Sequence, residues 1–240
     1  MEEEKENKNE NFNMMIPGAI MVAGVIIAGA VIYSSGSIPS TPAADRGQAA
    51  APSGAIENIK PVTGDDHIRG SIDAPVIIVE FSDLECPFCK RFHATMQQIV
   101  DSYDGQVSWV YRHLPLTSIH SKAVAEAEAT ECAAALGGND AFWAYIDRIF
   151  EVTPSNNGLD LDHLPQIAES VGLDAVKFQE CFDERRYKDA VQADLEDAAN
   201  SGGRGTPYSI VIAANGTKSV IPGAFPYESV KEIVDAALEN

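Results

Sequence analysis

A chain of 240 residues, 45% hydrophobic and 22% charged, is long enough to bury a core in one sizeable domain with an extension. Its formal net charge of -19 argues against a nucleic-acid partner, because phosphate backbones are held by Lys- and Arg-rich surfaces. Four cysteines (Cys86, Cys89, Cys132 and Cys181) are too few for a disulfide-stapled mini-protein, and their even number fits two disulfides or one metal site.

Residues 1–13 are polar and charged, and read as a cytoplasmic tail. Met14–Tyr33 then runs MMIPGAIMVAGVIIAGAVIY, with no ionisable group before Tyr33. Its length suits a membrane-spanning helix of roughly 20 residues. It exceeds the ~7–15-residue apolar core of a cleaved signal peptide, so an uncleaved transmembrane signal anchor is expected over 14–33. Lys5 and Lys8 precede the span, and no basic residue follows it until Arg46. The positive-inside rule therefore puts the N-terminus in the cytoplasm and the main body in a periplasmic or extracellular space, where disulfides persist. Residues 34–58 are rich in Ser, Pro, Ala and Gly and read as a flexible linker.

The globular part is expected over 59–240. Ala74–Ser82 is a β-branched run and reads as a buried strand. Just beyond the Cys-Pro-Phe-Cys motif, Phe92, Met96, Ile99, Val100 and Tyr103 recur at helical spacing and mark an amphipathic helix. Val107–Arg112 reads as a second strand. An Ala-rich stretch then predicts helices over Ser121–Leu136, Asp140–Glu151, Asp162–Val171 and Ala175–Ala199. Tyr208–Ala213 and Lys218–Ile221 flank Asn215-Gly216, a hairpin turn. Pro226–Leu238 reads as a closing helix. The order predicts an α/β fold with a helical insertion at about 118–200, too long to be a loop without its own packing.

Cys86 and Cys89 carry the clearest chemistry. Disulfide exchange needs an attacking thiolate and a second thiol close enough to resolve the mixed disulfide. A C-x-x-C pair opening a helix supplies both. Helix N-terminal amides and the positive dipole end stabilise the first thiolate. A more stable thiolate is a better leaving group, which makes the disulfide more oxidising. Pro87 suits the first helical position, where its missing N–H costs nothing. Cys86 is thus expected to be an exposed nucleophile and Cys89 the buried resolving thiol. The rival is half a zinc site, which usually brings a second ligand pair; Cys132 and Cys181 supply none, so no metal is expected.

The segments VEFSDLECPFCKRFH and, some 115 residues later, GRGTPYSIVIAANG resemble the DsbA-like branch of the thioredoxin superfamily. The resemblance covers roughly Ile59 to Asn240. It implies a thioredoxin-like fold with an inserted helical domain, here preceded by one N-terminal transmembrane helix. It matches Thr206-Pro207 to the family's cis-proline loop, with Pro207 against the active-site sulfurs, binding substrate backbone and keeping metals away. It matches Glu80 to the acid that assists proton transfer at the buried cysteine. Read from the residues alone, Glu80 in an apolar strand could equally face an edge or sit in a salt bridge, since an unpaired buried carboxylate is costly. Strongly oxidising relatives often place His between the two cysteines, where this chain has Phe88.

Cys132 and Cys181 read as two buried thiols or, outside the cytoplasm, as a structural disulfide. Some relatives carry a second bridge in the insert. His93 reads as a solvent-facing helix residue, His67 and His163 as surface positions, and the Glu126/Glu128/Glu131 series as a solvated face. His113 and His120 receive no role.

These expectations combine into a membrane-tethered thiol–disulfide oxidase acting through Cys86 and Cys89, with no cofactor. Its partners would be reduced or unfolded exported polypeptides and a membrane redox partner that resets the pair. A reductase or isomerase with the same site, or a non-catalytic metal-binding module, are the alternatives.

Overall fold

The computed structural model describes residues 55–240. The expected tail 1–13, the membrane anchor 14–33 and most of the 34–58 linker lie outside the described residues. The linker's last four positions behave otherwise than expected: Ala55–Asn58 form a 3-10 turn tied into the domain. There Glu57 pairs with Lys218, and the Asn58 amide donates to the Asn200 carbonyl. Among the described residues no helix is long and apolar enough to cross a membrane.

Five strands make one sheet: β1 (His67–Arg69), β2 (Val76–Ser82), β3 (Val107–His113), β4 (Tyr208–Ala213) and β5 (Lys218–Ile221). Their spatial order is β1-β3-β2-β4-β5. Only β2 and β3 run parallel; the other pairs are antiparallel. The parallel pair requires a crossover, supplied by helix α1 (Pro87–Ser102). β1 is too short to show a pattern in sequence, and it was not expected. The hairpin turn between β4 and β5 holds Gly216 at φ 85, a left-handed conformation that suits glycine.

Strand alternation divides the core in two. One face carries Ile78, Trp109, Tyr111 and Val211. It packs against α1 through Cys89, Phe92, Met96 and Ile99, and against the C-terminal helix α6 (Tyr227–Leu238) through Val230 and Val234. The other face carries Val79, Phe81, Val110 and Ile210, met by Ala198 and Leu195.

Between β3 and β4 lie four helices: α2 (Ala123–Val152), α3 (Leu164–Ser170), α4 (Ala175–Asp183) and α5 (Lys188–Asn200). The two helices expected over 121–151 are one element broken at Gly138, whose φ of 74 and ψ of -165 are not helical. The single helix expected over 175–199 is two. Arg185 adopts φ 50 between them, and its guanidinium binds the buried Glu128 at 2.6 Å. No Gly or Pro announces this break between the two helices. Arg112 on β3 anchors the last of these helices, with Asp197 at 2.6 Å and Asp66 at 2.8 Å.

Cys132 on α2 and Cys181 on α4 are disulfide-bonded, with Cα atoms 5.9 Å apart across a sequence separation of 49. Cross-linking a loop of that length removes unfolded-state entropy. A Cys132→Ala/Cys181→Ala chain is expected to lose roughly 3–4 kcal/mol of stability in urea titration, and an unchanged midpoint would refute this.

Candidate active site

β2 ends at Ser82, and the chain turns through Asp83, Leu84 and Glu85 into α1. The Asp83 side chain builds that turn. One oxygen accepts from the Glu85 amide at 2.8 Å; the other takes the Leu116 amide at 2.7 Å and the His120 ring at 2.8 Å. Cys86 is the N-cap of α1 and Pro87 its first residue. Both cysteines are free thiols, and Cys89 is fully buried. Cys86 is less open than expected, at 4% exposure, while its neighbour Phe88 is 52% exposed with the Arg91 guanidinium 5.1 Å from its ring centre.

The Thr206–Pro207 peptide bond is cis, and the Cys86 thiol donates to the Thr206 carbonyl at 3.6 Å. The loop before β4 thus closes over the sulfur and accounts for its low exposure. The Cys86 pKa falls to about 6. The hydrogen bond from Cys89 is the largest cause; burial opposes it, and the Thr206 side-chain hydroxyl and the amides of Cys89 and Phe88 add to it. Those two amides are the free donors of the helix N-terminus. Cys89 moves the other way, well above a normal thiol, because burial disfavours its thiolate and Cys86 accepts its hydrogen bond. A split of this kind separates nucleophile from resolving thiol. Alkylation of the reduced protein with iodoacetamide is expected to show a midpoint near 6, and a midpoint at ~8.5 would remove the activation.

Glu80 sits on the central strand at 1% exposure, with no ion-pair partner among the described residues, so neither the edge nor the salt-bridge reading holds. Burial pushes its pKa to about 8, against smaller contributions from Ser82 and Trp109. It is therefore mostly protonated at neutral pH. Paired with Tyr111, it shares the sheet face that α1 covers with Cys89.

Several side chains near the site were missed or misread. Glu126 and Glu128 are fully buried, and Glu131 is largely so; none marks a solvated face. The reason is that α2 packs into the domain on more than one side. Glu131 accepts from His67 at 2.9 Å and His113 at 3.1 Å. Burial would raise its pKa, but these hydrogen bonds outweigh it and hold the carboxyl at about 2. His67 stacks on Phe142 rather than lying free on the surface. His93 faces inward, 2.7 Å from Asp147 and packed on Trp109 and Phe150. Burial lowers its pKa, against Asp147. His163 is exposed, as expected.

Glu85 and Glu126 make a buried acid pair beside the active-site turn. Burial and the facing Glu85 carboxyl push Glu126 up to about 10. Glu85 also accepts the Asn156 amide on its backbone at 2.8 Å and the Asn157 amide on its side chain. These bonds hold a run of three residues, Ser155, Asn156 and Asn157, all at positive φ. Glu126 binds its proton more tightly folded than unfolded, so the stability it contributes below pH 4.5 is lost as pH rises toward 10. Glu126→Gln is expected to flatten that loss, raising the urea midpoint at pH 8.5 relative to wild type and changing it little at pH ~4.5. An equal shift at both pH values would contradict it.

Among the described residues, no group of three or more His, Cys, Asp or Glu side chains is placed to hold a metal ion. A sulfur pair at a helix N-terminus, facing a cis-proline loop across a mixed sheet, defines the thioredoxin class. The thioredoxin family profile matches residues 62–236, and the chain belongs to that family, in its DsbA-type branch. Pseudomonas aeruginosa DsbA2 is similar at 28% identity and a TM-score of 0.63, over 75% of this chain and 98% of that one. Oxidised BdbD from Bacillus subtilis shares the fold at 23% identity and a TM-score of 0.64, over 73% of this chain and 94% of that one. The chain is also 36% identical over 163 residues to the Na(+)/H(+) antiporter NhaA 3 of Salinispora tropica, covering 66% of this chain and 23% of that protein. It is 33% identical over 189 residues to NhaA 1 of Salinispora arenicola, covering 77% and 26%. The chain spans about a quarter of the length of these curated relatives.

Proposed function

We propose that the chain is a protein thiol–disulfide oxidoreductase working through Cys86 and Cys89, and that it runs as an oxidase of exported polypeptides. The observation that carries this is the placement of the two thiols: Cys86 caps α1 with its sulfur on the cis Thr206–Pro207 loop, and Cys89 lies fully buried one turn on. In the oxidising direction a substrate thiolate attacks Cys86 in the Cys86–Cys89 disulfide, and Cys89 leaves. The substrate's second thiolate then attacks the mixed disulfide, and Cys86 leaves as a stabilised thiolate. A low leaving-group pKa favours this direction. Phe88 offers the sulfur no charge, so the stabilisation comes from Cys89, Thr206 and the helix amides. Pro207 would hold substrate backbone beside the sulfurs, and exposed Phe88 would supply apolar contact.

Met14–Tyr33 supports tethering to a membrane, with the catalytic domain periplasmic or extracellular and close to a membrane partner that reoxidises the pair. The deciding measurement is the reduction potential of Cys86–Cys89 in the full chain. A value near about -120 mV supports the oxidase, and one near about -270 mV makes the chain a reductase. Stoichiometric metal in the purified protein with no thiol turnover would favour the binding module instead.

A further inference from the structure

Five buried polar atoms without a hydrogen-bond partner lie on one face of the sheet: Glu80 Oε2, Ser82 Oγ, Trp109 Nε1, Tyr111 Oη and Ser209 Oγ. The register explains their gathering. Glu80 pairs with Tyr111 on one side and Ser209 on the other, Ile78 pairs with Trp109, and Ser82 is two residues beyond Glu80. Directly paired residues and residues two apart share a face. That face is the one α1 covers with Cys89. Leaving buried polar groups unpaired costs about 1–3 kcal/mol each, so such a concentration calls for a role.

Ser82 is distinctive among them. It is 1% exposed, and its hydroxyl lies beside Glu80, Cys89 and Tyr111 alike. In the resting chain it completes a bond to none of them. A hydroxyl that donates one proton and accepts others, and that moves between staggered rotamers, can bridge an acid to a thiolate in turn. The remaining titratable neighbours are Cys86 on α1, which faces Glu80 and Cys89, and Asp83, which faces Tyr111. Tyr111 keeps its proton, because burial raises it well above a normal phenol.

The geometry points to Ser82 as a proton relay between Glu80 and Cys89. The inference rests on the disulfide-exchange reading above. When a substrate thiolate forms its bond to Cys86 Sγ, the Cys86–Cys89 bond breaks and its electron pair goes to Cys89 Sγ. Ser82 gives its hydroxyl proton to that sulfur and takes the Glu80 carboxyl proton in the same step. Glu80 is left as carboxylate, Cys89 as thiol, and the pair has oxidised the substrate by one bond exchange. Resolution of a mixed disulfide by Cys89 runs the relay backwards.

The test is stopped-flow formation of the mixed disulfide by the oxidised full chain with a reduced peptide thiol, followed from pH 5 to 9. Ser82→Ala is expected to slow this step on the order of tenfold to a hundredfold. Ser82→Ala on a Glu80→Gln background is expected to add less than twofold, since both changes break one route. In the wild-type chain, the rate in H2O/D2O mixtures is expected to curve as for two protons in flight, a readout that needs no variant. A Ser82→Ala rate within twofold of wild type, multiplicative losses in the double variant, or a linear one-proton inventory would overturn the relay while leaving disulfide exchange intact. A wild-type chain that exchanges no thiol at all would overturn both.

Discussion

Cys89→Ser is expected to capture disulfide substrates at Cys86 and fail to release them. Cys86 needs no help from residue 89's sulfur to attack, because Thr206 and the helix amides still favour its thiolate. Release does need that sulfur. Mixed disulfide should therefore accumulate toward one per chain on non-reducing gels, while turnover is lost. Cys89→Ala, which removes the hydrogen bond that most lowers Cys86, should move the Cys86 alkylation midpoint upward. Cys86→Ser should capture nothing. Capture by both variants alike would place the nucleophile elsewhere and sink the assignment.

Glu80→Gln is expected to stabilise the protein at neutral and alkaline pH. The carboxyl ionises near 4.5 when unfolded and near 8 when folded. Between those values the folded chain binds the extra proton, so stability is fullest below pH 4.5 and falls as pH rises through 8. By pH 7 the fall amounts to about 3 kcal/mol. The amide variant, having nothing to titrate, should show a higher urea midpoint at pH 7.5 and near parity at pH ~4.5. It should also exchange disulfides more slowly. A variant less stable than wild type at pH 7.5 would mean that the carboxyl is held by a favourable bond rather than penalised by burial. Function and stability oppose each other at this residue, as expected where an active site stores an unfavourable buried acid.

The parts legible in the sequence were those written in local pattern. Val76–Ser82 and Val107–His113 announce themselves by β-branched and aromatic residues, and α1 by its apolar spacing behind Cys86. What failed depended on distant partners. Glu126 and Glu128 look like a polar helix face, and only the packing of α2 buries them. The break at Arg185 carries no Gly or Pro, and the ion-pair partner of Arg185, Glu128, lies 57 residues away. β1 has three residues and exists because Trp109, Val110 and Tyr111 offer it an edge. The polar group around Ser82 was partly within reach: Glu80 and Ser82 share strand parity, and Tyr111 sits in the second strand. What sequence could not supply was the register that sets Tyr111 and Ser209 beside Glu80.

Both margins of the sheet are blunted against newcomers. At β1, Asn139 answers the Ile68 backbone as a neighbouring strand would, its carbonyl oxygen taking the amide at 3.0 Å and its amide giving to the carbonyl at 2.8 Å. At the opposite margin β5 is four residues long, and its Lys218 is engaged by Glu57. An open strand edge is a template for aggregation. A catalyst whose proposed clients are unfolded polypeptides meets sticky, strand-forming chains as its ordinary business. With little backbone ladder on offer at the sheet margins, such a client can be held beside the sulfurs and let go again, without being recruited into a growing sheet.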